Sequence, residues 1–297
     1  MTNNSNQQNL APLLERIAAA LEARVAPAFS ELDLSAADGF VWHGDELCLS
    51  PVSTIAGVDL KYLVGIQDQT DKLRQNTERF ARGLPANHAV LWGSRGMGKS
   101  SLVKAVHGAV NRDLPPAQRL VLIEIYRDDL RTLAHLYRGL RGQTRRVILF
   151  CDDLSFDLGD SSYKPLKSLL DGGIEGKPAN LLFYATSNRK HLLAREMIEN
   201  EASTAIDPRE SAEEKISLSD RFGLWLGFYP CDQDDYLAMV AAYAAGIGLD
   251  LPREVLESRA KEWAMIRGGR SGRVAWQFIQ DLAGEYNKSL VEIDRSV

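Results

Sequence analysis

Cysteine is scarce in these 297 residues: Cys48, Cys151 and Cys231 lie far apart and are odd in number. That pattern gives neither a disulfide framework nor the paired spacing of a metal site. The five histidines are as scattered, so no zinc centre is expected. No apolar run approaches the roughly twenty residues needed to span a bilayer, so no membrane partner is expected. The opening MTNNSNQQNL lacks the basic residue and apolar stretch of a secretory signal, which makes the cytoplasm the expected location. An excess of positive charge is missing too. The net charge is −5; seven acids and two bases precede Asp59, and 33 of each make up the rest. A general nucleic-acid footprint is therefore absent, although a local basic patch stays open. Repeats, low-complexity tracts and long Gly/Ser linkers are also lacking.

What is present is the mix of a soluble globular chain, 45% hydrophobic and 25% charged. Residues 11–29 place Leu14, Ile17 and Leu21, with Leu10 before them, on one helical face, predicting an amphipathic N-terminal helix. A short β-like stretch between Phe40 and Val52 reads as a connector. From about Leu60 apolar strands alternate with helical patterns. The strands are predicted at Ala89–Trp92, Leu120–Ile125, Val147–Cys151, Leu181–Ala185 and Leu224–Phe228. Helices are predicted between them, at Asp128–Arg141 and Tyr163–Leu170 among others. After Pro230 only helical patterns remain, near Asp234–Ala245, Pro252–Ile266 and Val274–Tyr286. This order predicts an α/β core at 59–230, a helical unit at 231–297, and an N-terminal extension at 1–58.

Gly93-Ser94-Arg95-Gly96-Met97-Gly98-Lys99-Ser100 fits the spacing of a phosphate-binding loop, and it stands between the strand AVLW and a helix opening at Ser101. Glycines let the backbone curl so that its N–H groups face phosphate oxygens at a helix N-terminus. Lys99 is expected to reach the β- and γ-phosphates of ATP, and Ser100 to ligate Mg²⁺. About fifty residues on, the strand VILFC ends in Asp152 and Asp153. Asp152 is expected to complete the Mg²⁺ site with Ser100, and Asp153 to polarise an attacking water.

With these residues in place the chain resembles the AAA+ superfamily of P-loop ATPases. LLFYATSN ends in Asn188, similar to a sensor-1 residue between the Walker B acid and the γ-phosphate. LSDRFG at 218–223 resembles the arginine box of initiator and branch-migration ATPases, which implies that Arg221 acts on the ATP of an adjacent subunit in a homo-oligomer. Arg270-Ser271-Gly272-Arg273-Val274 is similar to the sensor-2 segment, with Arg273 expected at the nucleotide and Arg270 as the competing choice. Leu63-Val64-Gly65-Ile66 resembles the stretch that cups adenine. Longer phrases, ILFCDDLSF and EEKISLSDRFGLWL among them, resemble a bacterial ATP-binding family known as domain of unknown function 815. The resemblance implies a five-stranded parallel sheet of order 5-1-4-3-2 with a helical lid, and an ATPase that remodels an assembly or partner. The alternative is a slowly hydrolysing switch or loader, in DNA processing for instance.

Two departures stand out. Asp153 is one methylene shorter than the usual Glu, which implies slow water activation. Tyr126 lacks the following glycine of a threading loop, and Asp128 reads as a helix N-cap, so an unfoldase is not expected. Arg127, Arg131, Arg138, Arg141, Arg145 and Arg146 form a basic excess and Glu199–Glu214 an acidic loop; both read first as solvated surface, with contact to nucleic acid, phosphates or an acidic neighbour, such as that loop, as the alternative.

Overall fold

The computed structural model describes residues 32–156, 163–172, 178–190, 192 and 220–290. The expected helix at 11–29, the acidic loop at 199–214 and the first two residues of the arginine box lie outside the described residues. From Leu34 onward the chain forms one compact unit.

Among the described residues, seven strands make one sheet: β1 (Gly39–His43), β2 (Cys48–Val52), β3 (Ala89–Gly93), β4 (Val121–Glu124), β5 (Val147–Cys151), β6 (Leu181–Ser187) and β7 (Leu224–Phe228). Their order is β2-β1-β4-β5-β6-β3-β7. The five expected strands are β3 to β7, and they fall in the expected order with every pair parallel. β5 and β6 are buried at each position, as strands covered on both faces must be.

The sheet does not stop at β4. Residues 40–52, read from the sequence as a connector, form a hairpin in which β1 pairs parallel with β4 and antiparallel with β2. Alternation explains it: Phe40 and Trp42 are buried while Val41 and His43 are partly exposed. Trp42 Nε1 donates to Thr132 Oγ1 at 2.9 Å, which locks the hairpin to the next segment. The outermost strand carries Pro51, which has no N–H to offer a further strand.

Among the described residues, four helices accompany the strands: α1 (Gln67–Ala81), α2 (Lys99–Arg112), α3 (Leu133–Leu140) and α4 (Tyr163–Asp171). Three more form the lid: α5 (Gln233–Gly246), α6 (Arg253–Ile266) and α7 (Gly272–Glu285). The expected helix at Asp128–Arg141 is in fact a 3-10 segment, Arg127–Thr132, followed by α3. Asp128 is not its cap. The chain enters through an extended Tyr126 with no side-chain cap, and the Asp128 carboxylate meets Arg127 at 3.5 Å instead.

One apolar cluster unites core and lid. It joins Leu91, Phe150 and Phe228 of the sheet, Leu73 and Phe80 of α1, Leu102 and Val106 of α2, and Tyr236, Met239, Phe278 and Ile279 of the lid. Each such burial contributes roughly 1.5–3 kcal/mol, so the lid is held by the same force as the core. Asp232 caps α5 by accepting from Asp235 N at 2.8 Å, and Ser271 caps α7 by accepting from Val274 N at 3.2 Å. Polar groups fix α2 beneath the sheet. Asn111 Oδ1 accepts from Leu120 N at 2.8 Å, and its amide and His107 Nε2 each meet Leu120 O at 2.9 Å. His107 is wholly buried, and burial pulls its pKa down to about 4.

Candidate functional site

The loop between β3 and α2 owes its shape to glycines at positive φ. Gly93 has φ +124, and a Cβ there would stand 2.0 Å from Phe228 O, the atom that accepts from Ser94 N at 2.8 Å. At Gly98 the left-handed φ of +84 starts α2 and turns the chain into the helix. The lid reaches this loop directly. Arg273 N donates to Gly96 O at 3.1 Å, and a Cβ on Gly96 would meet Ser271 Oγ at 2.9 Å.

Lys99 is 7% exposed, and its ammonium donates to Gly93 O at 2.9 Å, Ser94 O at 2.8 Å and Asn188 Oδ1 at 3.0 Å. Burial lowers its pKa; Asp152 and Asp153 oppose that, and the cations Arg95 and Arg273 add to it.

Opposite the loop, the ends of β5 and β6 bring the acids together. Ser100 Oγ donates to Asp152 Oδ1 at 2.6 Å, and Thr186 Oγ1 donates to the same oxygen. Asp153 sits at φ +51, uncommon for a residue with a side chain. Its N–H donates to Thr186 Oγ1 at 2.9 Å, and its carboxylate accepts from Asn188 Nδ2 at 2.5 Å. Asn188 thus joins the lysine to the second acid.

These groups border one cavity of about 770 Å³, within the range of small-molecule sites. Arg95, Gly96, Met97, Gly98, Lys99, Ser100, Ser101, Asp152, Asp153, Asn188 and Arg273 all line it. Gly93 and Ser94, expected there with them, do not. Their carbonyls hold the Lys99 ammonium and Ser94 N is taken by Phe228 O, so they support the loop from below. Arg270 is also absent from the lining; it donates to Gln233 Oε1 at 3.3 Å. Of the two lid arginines, Arg273 faces the cavity.

The far end is apolar. Leu63, Val64 and Ile66 line it as expected, joined by Tyr62, Met239, Tyr243 and Trp276. Tyr243 is the centre of this group, 5.9 Å from the Tyr62 ring and 5.3 Å, edge to face, from that of Trp276. Sequence reasoning missed Tyr62 and the three lid residues because they read as the apolar positions that any packed core needs. Thr186 was missed as well. Its signal was a hydroxyl residue directly after the LLFYA run, two residues before Asn188.

Arg221 lies outside the cavity. It holds Asp171, the last residue of α4, through two bonds: Nε to Oδ1, and Nη2 to Oδ2 at 2.8 Å. The basic excess at 127–146 disperses into the fold. Arg145 donates to Leu34 O, Ala37 O and Arg119 O and pairs with Asp38. Arg146 donates to Ala179 O and lies over the Phe80 ring, Arg127 donates to Ser155 O, and Arg131 pairs with Asp45. Those four guanidinium groups serve the chain's own structure.

The same architecture occurs in solved AAA+ proteins. The Thermotoga maritima RuvB Holliday junction branch migration motor is 17% identical, with 80% of this chain and 68% of that chain covered at a TM-score of 0.51. A point mutant of the same motor is 16% identical, with 82% and 70% covered at 0.52. C. elegans PCH-2 is 15% identical, with 76% and 65% covered at 0.50. At these identities the likeness is one of fold. No curated protein matches the chain. The family model described as "Protein of unknown function (DUF815)" matches residues 35–286, and with the sheet order, loop and lid above, this chain belongs to that family and carries the AAA+ P-loop fold.

Proposed function

We propose that this chain is an ATPase that binds MgATP between the α/β core and the lid, hydrolyses it, and uses the cycle to change the conformation of an assembly or partner. The observation that carries the reading is convergence. Lys99, Ser100, Asp152, Asp153, Asn188 and Arg273, drawn from the loop, two strand ends and the lid, border one cavity of suitable size.

ATP would lie with its base among Tyr62, Tyr243 and Trp276 and its phosphates along the amides of Gly96 to Ser100. A divalent ion fits the donor set: Ser100 Oγ and Asp152 meet at 2.6 Å, hard oxygens of the kind Mg²⁺ prefers, and Mg²⁺ needs few protein ligands. Ser100 and Asp152 would hold it, and its charge would offset that of the phosphates. Lys99 would leave the loop carbonyls for phosphate oxygens, and Arg273 would meet them from the lid. Such fixed cations stabilise the charge of a phosphoryl group in transfer. Asp153 would orient the water, with Asn188 holding its carboxylate.

Arg221 is outside its own cavity and paired with Asp171, so action on a neighbour's nucleotide in a homo-oligomer, which the family resemblance suggests, would require it to leave that pair. Nucleic acid is no part of the reading, since four of the six arginines that suggested it are spent on the fold. We take the core to begin near residue 34, because β1 completes the sheet, and the lid to begin at 231. Among the described residues no helix is long and apolar enough to cross a membrane, and we infer a cytoplasmic protein.

A second reading, a nucleotide-dependent switch with little turnover, draws support from the short Asp153 and its bond to Asn188. Phosphate release per protomer over a wide protein concentration range separates the two, with Arg221→Ala and Asp153→Asn alongside. Specific activity that climbs with concentration and is lost in both variants is expected. Background activity at every concentration, with ATP demonstrably bound, would support the switch.

A further inference from the structure

The ladder between β5 and β6 ends at Cys151 and Ala185. Beyond it the two chains stay joined through one residue. Thr186 O accepts from Leu154 N at 2.7 Å, Thr186 Oγ1 accepts from Asp153 N at 2.9 Å, and the same hydroxyl donates to Asp152 Oδ1. Three consecutive residues of the acid turn are thus pinned by a single threonine that is 2% exposed and lines the cavity.

A hydroxyl has one proton to give and lone pairs to accept with. Here the acceptor site is filled by Asp153 N, which leaves the proton for Asp152. Asp152 Oδ1 also accepts from Ser100 Oγ and Asp153 N, so three donors among the described residues converge on one oxygen, and none of them is bound to Oδ2. Asp153, at φ +51, keeps a backbone conformation that side chains disfavour. Its N–H is shared between Thr186 Oγ1 at 2.9 Å and Asp152 Oδ1 at 3.2 Å, and the threonine is the shorter tie.

We propose that Thr186 is a positioning residue that sets both carboxylates: it holds Asp152 by Oδ1, which leaves Oδ2 for the divalent ion that would bind there, and it fixes the backbone from which Asp153 would reach water. This rests on the MgATP reading above. Groups that orient a metal's carboxylate ligand change affinity or activity by about 10- to 100-fold when removed. Thr186→Val keeps the volume and β-branch and the bond to Leu154 N, and deletes only the two hydroxyl bonds. Thr186→Ser keeps the hydroxyl.

The test is ATP binding by the full chain with Mg²⁺ and with EDTA, together with kcat, KM and Tm for the wild type and both variants. In Thr186→Val the gain in ATP affinity on adding Mg²⁺ is expected to fall about 10- to 100-fold, with affinity in EDTA and Tm near wild type. Any turnover is expected to fall in kcat rather than KM, and Thr186→Ser to restore both. A Val variant with wild-type Mg²⁺ dependence overturns the inference and leaves the ATPase reading standing. Equal losses in Ser and Val, with a lowered Tm, reduce Thr186 to a packing residue and overturn it as well. A wild type that binds no ATP in either condition sinks the functional reading, and this inference with it. A wild type that binds but does not turn over still reports through the Mg²⁺ dependence.

Discussion

The loop side of the cavity takes its shape from main-chain bends, and the lid side takes its shape chiefly from side chains. On the loop side Gly93, Gly96 and Gly98 allow the curl and Lys99 is clasped by carbonyls; on the lid side Met239, Tyr243, Arg273 and Trp276 present their own groups. A wall of backbone tolerates almost no substitution at its bends. A wall of side chains loses its contacts one at a time.

The sharpest break in that contrast is Gly93→Ala. Its methyl would stand 2.0 Å from Phe228 O at φ +124, and we expect a loss on the order of 4 kcal/mol in urea unfolding. Gly142→Ala, at φ +79 with nothing within 4 Å, is the control and should cost about 1 kcal/mol. Equal losses would mean that the close approach of β3 and β7 is not what requires glycine. Acid should separate the walls as well. His107 lies on the helix beneath the loop, with a folded pKa of about 4 against 6.5 for the free side chain. The unfolded chain therefore binds the proton first: the contribution is complete above pH 6.5 and falls by about 3 kcal/mol as pH drops to 4. Residues 231–297 contain no histidine, so no imidazole of the lid adds to this slope, although Glu257 and Glu285, whose pKa values are lowered by Arg253 and Arg259, lose their own contribution at lower pH. His107→Gln should flatten the slope of stability between pH 6.5 and 4; an unchanged slope would assign it to other groups.

For the ligand, Lys99→Ala should weaken MgATP binding at least about 100-fold, or about 2.7 kcal/mol, in a fluorescence titration. Retained affinity would move the phosphates away from the loop. The smallest effect belongs to the lid. Arg273→Ala should weaken binding about tenfold and Arg270→Ala less than about twofold, and a reversal of that order would exchange their assignments.

The same division governs what was legible in the sequence. The loop and the acid pair declare themselves because backbone geometry and metal chemistry tolerate few residue types at fixed spacings, and Asn188 is found only through the family resemblance. The strands β3 to β7 are legible as short apolar runs, of which β5 and β6 are buried on both faces, while their order is implied only by the family resemblance. Tyr62, Tyr243 and Trp276 gave no signal, since a ring in a base pocket and a ring in a core are spelled alike. The hairpin at 39–52 was read too weakly because β2 is an edge strand carrying a proline, and none of its residues is fully buried. Arginines misled in the opposite sense. Charge is visible in a sequence but its partner is not, and Arg145 spends its donors on carbonyls 26 to 111 residues away.

The bond from Arg273 N to Gly96 O gives lid and loop a connection made wholly of main chain. Exchanging the Arg273 side chain does not delete it, since only proline would remove the donor there, whereas any side chain at Gly96, at φ +72, would meet Ser271 and Arg273 and push lid and loop apart. Substitutions in the lid can therefore change what lines the cavity residue by residue while the tie between lid and loop is kept, so the hinge of this site rests on one glycine and one peptide group rather than on any side chain.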